Sequence, residues 1–222
     1  KLFQRRTVDN YATVQWSGGQ INLSTGCTWN NKNGGTFDIQ GDLYAAYIGG
    51  SVPVFNNDGA LIKSAGAGTA LFQFALNNPN YTVCQSGTLS LDNGGNGSGR
   101  YDAPGAGTII AFNGATHTML PGVWFTGSGL FRITGGSGIF NVAAPLLITN
   151  RFELAFGGTL DGTNTVFFAG PFNWSAGTLD ATTGAGNGRT VFTNTAAVTV
   201  TPANTKLFQR RTVDNYATVQ WS

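Results

Sequence analysis

The segment Lys1–Ser17 reads KLFQRRTVDNYATVQWS, and the same seventeen residues recur without a change at Lys206–Ser222. Seventeen identical positions exclude chance, and an old duplication would have diverged. The segment has the same character as the rest of the chain, unlike a purification tag. We therefore interpret residues 1–205 as one unit of a tandem array and residues 206–222 as the start of the next identical unit. Both copies should then be the same coil in successive units.

The order of apolar and polar residues in this segment predicts β-strands. In TVDNYATVQW, residues 7–16, the side chains of Val8, Ala12, Val14 and Trp16 fall on one side of an extended chain, and most polar side chains fall on the other. Asn10 also falls on the apolar side. We expect its amide to stack on an asparagine of the next coil, because amides hydrogen-bond to one another along stacked strands.

A shorter period runs through the whole chain. A Gly-Thr step recurs at the head of apolar runs, at Thr36, Thr69, Thr88, Thr108, Thr159 and Thr178. Steps of about twenty residues, with glycine at the corners, predict an all-β chain folded as a parallel β-solenoid with about twenty residues per coil. The unit should then contain about ten coils. The two long gaps, from Thr36 to Thr69 and from Thr108 to Thr159, should hold coils with inserted loops.

Composition and charge narrow the functional class. The chain has 33 glycines, one methionine and only 10% charged residues, which disfavours helix. Twelve basic residues exceed ten acidic ones, but the second copy of the segment contributes three of the former and one of the latter, so the unit has no net charge. We therefore expect no nucleic-acid partner. No apolar run is long enough to span a bilayer, so we also expect no membrane insertion.

Three stretches carry a resemblance to a known group: FNWSAGTLD at 172–180, RRTVDNYATVQWSGGQINL at 5–23 and NNKNGGTFDIQGD at 30–42. The chain resembles the Gly-, Thr- and Asn-rich strand-repeat proteins of bacterial surfaces, which include autotransporter passengers and filamentous adhesins. The resemblance implies a secreted, elongated β-solenoid that acts as an adhesin, stalk, sheath or filament. It carries over no catalytic residue.

The sequence contains no motif that identifies a catalytic or cofactor site. Walker A, G-x-G-x-x-G, H-E-x-x-H, C-x-x-C and nucleophile-elbow patterns are absent. The single histidine, His117, is expected in solvent or in a turn, because one histidine does not make a zinc site. Asp161 and Asp180 both follow Gly-Thr-Leu and should stack on adjacent coils, either as a turn ladder or as the carboxylate pair of a glycosidase. We expect no catalytic residue, cofactor or metal.

A glycine-rich stretch and the two cysteines can each be interpreted as either structural or functional features. The stretch Asp92–Asp102, DNGGNGSGRYD, is faintly similar to a calcium-binding nonapeptide, but it occurs once per unit and has Ser98 where an aspartate is expected. We predict a flexible excursion between coils. Cys27 and Cys84 lie about three coils apart, beyond the reach of a disulfide, and should be unpaired and buried. A bond between units or filaments is the alternative.

Arg5 and Arg6 form an adjacent basic pair, and we expect a corner of the coil there, because neighbours on a strand point to opposite sides. They are either solvated or paired with carboxylates of a neighbouring coil or filament. Most aromatic residues should form stacked rungs of the core, and exposed ones would bind sugar rings or pack against a second filament. The tryptophans of interest are Trp16, Trp29, Trp124 and Trp174.

These observations favour a structural subunit of an extracellular fibre, stalk or sheath. The first alternative is an adhesin or glycan-binding stalk on the same scaffold, and the second is a β-helix enzyme that degrades polysaccharides. The expected partner is the protein itself, head to tail along the fibre axis, with side-by-side packing and surface glycans as further candidates. The predicted head-to-tail junction uses residues of both copies of the segment: Lys1, Leu2, Phe3, Thr7, Val8, Val14, Trp16, Lys206, Phe208, Val213, Val219 and Trp221.

Overall fold

The structure, a computed structural model, describes residues 1–182, 187–202 and 204–221. Across these residues the chain forms thirty-one strands and no helix. The strands wind into a parallel β-solenoid of about 10 turns with roughly 21 residues per turn, which confirms the predicted fold class. The described part of the chain accordingly contains no helix that is long and apolar enough to cross a membrane.

The strands are short, mostly of three to five residues. The first ten are β1 Leu2–Gln4, β2 Thr7–Asn10, β3 Thr13–Trp16, β4 Ile21–Ser24, β5 Thr28–Asn31, β6 Thr36–Gln40, β7 Tyr44–Tyr47, β8 Val54–Asn57, β9 Ala60–Ala65 and β10 Thr69–Phe72. The next ten are β11 Ala75–Asn77, β12 Tyr81–Cys84, β13 Thr88–Leu91, β14 Gly95–Gly97, β15 Arg100–Asp102, β16 Ile109–Asn113, β17 Thr116–Met119, β18 Trp124–Thr126, β19 Leu130–Thr134 and β20 Ile139–Val142. The remainder are β21 Leu146–Ile148, β22 Arg151–Leu154, β23 Thr159–Asp161, β24 Thr165–Phe168, β25 Phe172–Trp174, β26 Gly177–Leu179, β27 Arg189–Phe192, β28 Ala197–Val200, β29 Lys206–Phe208, β30 Thr212–Asn215 and β31 Thr218–Trp221.

Each turn contains three strands, one on each of three faces. Face 1 is a single sheet of eleven strands that takes every third strand from β1 to β31. Face 2 consists of a four-stranded sheet, β2 to β11, and then a six-stranded sheet, β14 to β29. Face 3 consists of a six-stranded sheet, β3 to β18, and then a four-stranded sheet, β21 to β30. Neighbouring strands are parallel on every face, so each turn pairs with the turns before and after it.

Alternate residues of each strand point inward and fill the solenoid with aromatic rings. Phenylalanines of successive turns contact one another edge to face, as Phe37 and Phe55 do with 5.5 Å between ring centroids. Because one turn is too small to enclose a core alone, the stacked rings form one continuous core along the axis. The fully buried phenylalanines are Phe37, Phe55, Phe72, Phe112, Phe131, Phe140, Phe152, Phe168 and Phe172.

An inner column of buried asparagines runs along the first part of face 2. Asn10 Nδ2 donates to Asn31 Oδ1 at 2.8 Å, and equivalent bonds of 2.9 Å link Asn31 to Asn57 and Asn57 to Asn78. This column confirms that Asn10 points inward and stacks on an asparagine of the next turn. A parallel outer column of side-chain hydrogen bonds links Asp9, Asn30, Asn56, Asn77 and Asn96.

The Gly-Thr steps mark strand starts on all three faces. Thr69 and Thr88 begin neighbouring strands of face 1 and pair directly with each other, so they are one turn apart. Thr36 begins β6 on face 3, so the gap from Thr36 to Thr69 is one turn plus one face. The gap from Thr108, next to β16, to Thr159 in β23 is two turns plus one face. Both long gaps therefore include a change of face.

The two long gaps differ in their loops. In the first gap, the turn from Tyr44 to its partner Leu71 is several residues longer than the next turn, from Leu71 to its partner Ser90, so the expected inserted loop is present. In the second gap, Ile109 pairs with Leu130 and Leu130 with Arg151, and both turns have the ordinary length of roughly 21 residues. The expectation of an inserted loop is wrong for the second gap, because the change of face accounts for its length.

Candidate functional sites: the junction segment and a surface groove

The two copies of the repeated segment form the same three strands. The first copy forms β1 to β3 and the second forms β29 to β31, with the same bounds for the second and third strands of each copy. Between the first and second strands the backbone turns at Arg5 and at its equivalent Arg210, with φ of 49° and 33°. A side chain in this left-handed region ends the extended strand. The predicted corner at the arginine pair is confirmed.

The two copies lie on different faces of the solenoid. β1, β2 and β3 lie on faces 1, 2 and 3, whereas β29, β30 and β31 lie on faces 2, 3 and 1. β29 comes twenty-eight strands after β1, which is nine turns of three strands and one strand more. The second copy is therefore rotated by one face about the solenoid axis relative to the first.

The two copies also have opposite neighbours. Among the described residues, β1 to β3 pair only with the following turn, β4 to β6, and β29 to β31 pair only with the preceding turn, β26 to β28. Among the described residues, each copy therefore has one strand edge that pairs with no other strand, here called its open edge. The first copy thus shows how the segment pairs with the turn after it, and the second copy shows how it pairs with the turn before it.

Arg211 of the second copy occupies a closed socket in the preceding turn. Its Nε donates to Thr190 Oγ1 at 2.7 Å. Its Nη1 donates to the carbonyls of Gly162 and Asp180, and its Nη2 donates to those of Asn164 and Arg189, at 2.9–3.2 Å. The side chain is 2% exposed. Because all five guanidinium N–H groups find an acceptor, the burial of this charge is fully compensated by hydrogen bonds.

The socket holds a charged arginine. Burial lowers the pKa of Arg211 to about 10, while the charges of Asp161 and Asp180 act in the opposite direction. The guanidinium is therefore protonated at neutral pH. A neutral or shorter side chain would leave five polar groups of the socket unsatisfied, so we expect the socket to be specific for arginine.

Two ion pairs flank the socket. Arg210 donates to both carboxylate oxygens of Asp180, at 3.0 Å each, and these bonds hold the pKa of Asp180 below its ordinary value. Asp214 accepts a hydrogen bond from Nε of Arg189 in the preceding turn. The second copy thus contributes two cations and one carboxylate to complementary groups of the turn below it.

The equivalent side chains of the first copy have no such partners. Arg5 and Arg6 are exposed, and no hydrogen bond or ion pair of their side chains occurs within the described part of the chain. Asp9, the equivalent of Asp214, accepts instead from Asn30 and lies 3.4 Å from Lys32 Nζ in the following turn. Both predicted states of the arginine pair therefore occur. The pair is solvent-exposed in the first copy, and it hydrogen-bonds to the neighbouring turn in the second copy.

The predicted junction residues of the first copy lie along its open edge and its inner side. The main-chain nitrogen of Lys1 donates to Gln20 O at 2.8 Å, and Phe3 contacts Trp29 with 5.7 Å between ring centroids. Trp16 is buried. The others are exposed or half-buried: Leu2, Thr7, Val8 and Val14.

The predicted junction residues of the second copy are less covered, because no described strand follows them. Lys206 Nζ donates to the carbonyl of Ser175 at 3.2 Å. Trp221 is 73% exposed, whereas its equivalent Trp16 is 7% exposed. Phe208 and Val219 are exposed and Val213 is half-buried. That these residues form a junction between units stays a prediction.

A groove of about 610 Å³ runs along one corner of the solenoid and has an aromatic wall. Tyr81, Arg100 and Trp124 lie in register on three successive turns. The Arg100 guanidinium lies 5.0 Å from the Tyr81 ring centroid and 5.3 Å from that of Trp124. Trp124 is 52% exposed. This row was not predicted from the sequence, although the three residues follow one another at intervals close to one coil each.

The remaining candidates for chemistry have structural roles in the described part of the chain. Asp161 and Asp180 follow paired residues of β23 and β26, as predicted, and both are buried. Asp161 accepts from the N–H groups of Gly162 and Thr182, and Asp180 accepts from that of Ala181. These bonds fit the turn ladder rather than a carboxylate pair open to a substrate.

The glycine-rich stretch Asp92–Asp102 does not leave the solenoid. It contains β14 and β15, which pair with β17 and β18, so the predicted excursion is wrong. Asp92 accepts from Asn113 Nδ2 at 3.0 Å, and Asp102 accepts from Thr126 Oγ1 at 2.8 Å. Each carboxylate is thus held by neighbouring turns. Glycine is required here because a Cβ at Gly94, Gly95 or Gly99 would lie only 2.1–2.4 Å from a backbone oxygen of a neighbouring turn.

His117 is buried, contrary to the expectation of a solvated or turn histidine. It is 3% exposed and contacts the Phe112 ring edge to face, at 5.3 Å between centroids. Burial lowers its pKa to about 4. Cys27 and Cys84 are unpaired and buried, as predicted, and burial raises the pKa of both thiols.

No group of three or more His, Cys, Asp or Glu side chains within the described ranges could hold a metal ion. Comparison with protein-family models, curated proteins and solved structures finds no match for this chain. The class of protein is therefore given by the fold, a β-solenoid built from repeated strands.

Proposed function

We propose that this protein is a structural subunit of an extracellular fibre, stalk or sheath made of β-solenoid units. The single observation that carries the proposal is that the eleven strands of face 1 form one uninterrupted parallel sheet along the solenoid axis, from β1 to β31. A solenoid of this kind lengthens by the addition of further turns, because each turn pairs only with the turns next to it. The resemblance to bacterial surface proteins supports the extracellular location.

The hydrogen-bond direction of individual residues identifies which groups lie on the open edge. Thr28 N–H donates to Arg6 O, and Lys32 N–H donates to Asn10 O. Alternate residues of a parallel strand bond to the same neighbour, so Val8 also faces the following turn and Thr7 faces the open edge. In the second copy, Thr212 N–H, the equivalent of Thr7, donates to Gly188 O of the preceding turn.

The test removes donors from the open edge alone. Proline has no N–H and is tolerated at the first residue of a strand, so Thr7→Pro with Thr13→Pro should leave the internal sheets intact. We expect the unmodified full chain to form end-to-end rods by light scattering and electron microscopy. The double variant should stay monomeric with an unchanged circular dichroism spectrum.

The matched control places the same prolines one residue further on. Val8→Pro with Val14→Pro removes donors to β5 and β6, so this variant should lose stability, by about 1–3 kcal/mol for each buried acceptor left unpaired. Monodisperse monomers of the unmodified chain at high concentration would overturn the fibre proposal. Equal assembly of the Thr7/Thr13 variant would show that the rods do not grow through these edges.

A second candidate function, glycan binding by the same scaffold, rests on the groove beside Trp124. Carbohydrate rings present apolar C–H faces that stack on aromatic side chains and hydroxyls that accept from guanidinium groups. Trp124 and Arg100 offer both within one groove, and the register of Tyr81, Arg100 and Trp124 aligns the row with the solenoid axis. A linear polysaccharide parallel to the axis fits this arrangement.

The glycan test uses soluble hexasaccharides of β-1,4-linked glucose and N-acetylglucosamine, with binding followed by NMR line broadening of the sugar. Trp124→Ala should abolish binding. Tyr11→Ala, which removes an aromatic side chain that is 71% exposed outside the groove, should leave it unchanged. Absence of binding to both sugars, or equal binding by the two variants, would contradict this function.

A further inference from the structure

We propose that the groove beside Trp124 prefers a neutral linear polysaccharide to an acidic one, and that Asp102 is the residue that sets this preference. The inference rests on the glycan-binding function proposed above and is independent of the fibre function. Its basis is the charge balance in the wall of the groove. Asp102 forms an ion pair with Arg100, and Arg100 is the one charged side chain among the described residues that line the groove.

The groove follows one position of the strand through five successive turns. The residues at this position pair in register and all line the groove: Thr36, Ala60, Tyr81, Arg100 and Trp124. At about 4.8 Å per turn, the row is about 19 Å long. The first two side chains are small and leave an open floor, whereas the last three form the aromatic wall. This shape suits an unbranched chain that lies along the solenoid axis.

Asp102 lies beside this row, and its side chain is 8% exposed. Its Oδ2 accepts from Arg100 Nη2 and from the Tyr81 hydroxyl, both at 2.8 Å, and its Oδ1 accepts from Thr126 Oγ1 at 2.8 Å. Thr126 Oγ1 in turn accepts from Arg100 Nε at 2.8 Å. These bonds hold the guanidinium between the two aromatic rings before any ligand arrives, so binding does not have to order it.

The Arg100–Asp102 pair leaves hydrogen-bond donors at the groove but no net charge. Nε and Nη2 of Arg100 each donate one bond within the described part of the chain, and the other three N–H groups of the guanidinium have no acceptor there. A sugar hydroxyl accepts from these donors at little desolvation cost. A carboxylate on the sugar would meet a cation that Asp102 already balances, with a second anion close by, so the loss of its hydration would not be repaid.

The polar groups of the groove favour a polyhydroxylated chain over a proline-rich peptide, which aromatic grooves also bind. A polyproline backbone has carbonyl acceptors but no N–H donors. The groove offers both kinds of group, because Arg100 donates, the side-chain oxygen of Asn80 accepts and the Ser98 hydroxyl does either. Sugar hydroxyls also donate and accept, so a sugar can use all three.

The test compares two hexasaccharides of the same linkage, β-1,4-linked glucose and β-1,4-linked glucuronic acid, by isothermal titration calorimetry of the full chain at low salt. The unmodified chain should bind the neutral hexamer about tenfold more tightly. Asp102→Asn keeps the shape of the side chain and removes its charge, so binding of the acidic hexamer should strengthen about tenfold and binding of the neutral one should change less than about threefold. Asp214→Asn removes the same charge from an arginine pair outside the groove and should change neither.

Equal binding of the two hexamers by the unmodified chain would overturn the preference and leave glycan binding intact. This comparison holds even if Asp102→Asn does not fold. An Asp102→Asn variant that weakens binding of both hexamers alike would give Asp102 a merely structural role and overturn its part in the preference. Binding of a polyproline peptide in place of both hexamers would also overturn the inference. In that case the N-acetylglucosamine hexamer still decides whether the groove binds glycans at all.

Discussion

His117 lies in the core beside Phe112, where its ring makes no ion pair within the described chain. At the residue scale, local pattern predicted some positions well: Asn10 falls on the apolar side of its strand, and the structure places its amide on Asn31. The burial of His117 and Arg211 could not be predicted, because it depends on which side chains the turns above and below supply. Identical segments in the two copies give an exposed Arg6 and a buried Arg211 for that reason.

The buried histidine predicts a loss of stability in mild acid. The folded-state pKa is lowered to about 4, so the unfolded chain binds a proton below about pH 6.5 while the folded chain does not. Stability is therefore fully present above about pH 7, and we expect about 2 kcal/mol to be lost between there and pH 5. Urea unfolding at each pH measures this. His117→Gln should flatten the slope, since no other histidine titrates in this window; an equal slope would contradict the assignment.

The inner asparagine column predicts a large difference between two neighbouring residues of β5. Asn31 accepts from Asn10 and donates to Asn57 and to the Ala60 carbonyl. Asn31→Ala leaves buried groups unsatisfied and should cost about 3 kcal/mol. Asn30→Ala breaks the outer column, where water replaces the lost bonds, and should cost less than about 1 kcal/mol. Chemical denaturation of both variants checks this, and similar losses would mean that burial does not set the strength of the column.

Element-scale structure depends on how turns stack, and here the sequence was less informative. The stretch around β14 is rich in glycine, which by local propensity indicates a loop. In the solenoid, Leu76 N–H of β11 donates to Gly94 O, and Gly95–Gly97 pairs with β17. Pairing with turns on both sides outweighs the weak strand preference of glycine. The all-β class and the period of about twenty residues were predictable, because alternation and corner residues are local.

Gly95 provides a test of this packing. Its φ is 120°, and a Cβ would lie 2.1 Å from the backbone oxygen of Leu76, which cannot move without breaking the sheet. Gly95→Ala should therefore destabilise the fold by about 3 kcal/mol or more. Gly136→Ala places its Cβ in open space and should change stability by less than about 0.5 kcal/mol. Thermal unfolding distinguishes them, and a harmless Gly95→Ala would restore the loop interpretation.

At the scale of the whole molecule, the solenoid is a stack of turns that contact only their neighbours along the axis. Each turn is held only by the turns on either side, so the end turns have half the contacts of the central ones. The repeated sequence was enough to propose the candidate junction. It did not predict that the second copy is rotated by one face, because that rotation depends on the number of strands between the two copies. The rotation is reflected in the two long gaps between Gly-Thr steps, because each gap includes a change of face.

Hydrogen exchange should follow this order along the axis. Amides of β13, β16 and β19 in the central turns should exchange by global unfolding, while those of β1 and β31 exchange by local fraying. Mass spectrometry of peptides from an exchange time course measures the difference. In the Thr7→Pro, Thr13→Pro variant, which is expected to stay monomeric, the gradient should persist. Uniform exchange along the chain would indicate that the solenoid unfolds as a single cooperative block.

The extra strand between the two copies of the repeated segment would have a genetic consequence in a tandem array. In a tandem gene, unequal crossing-over adds or removes whole units. If residues 1–205 repeat in tandem, as we infer from the sequence, a unit closes nine turns and one strand more, so every gain or loss of one unit turns all distal units by a third of a revolution. Alleles that differ by three units would keep every Trp124 groove on its original side. Alleles that differ by one or two would present the distal grooves in a new direction, with no change in the coding sequence of any unit.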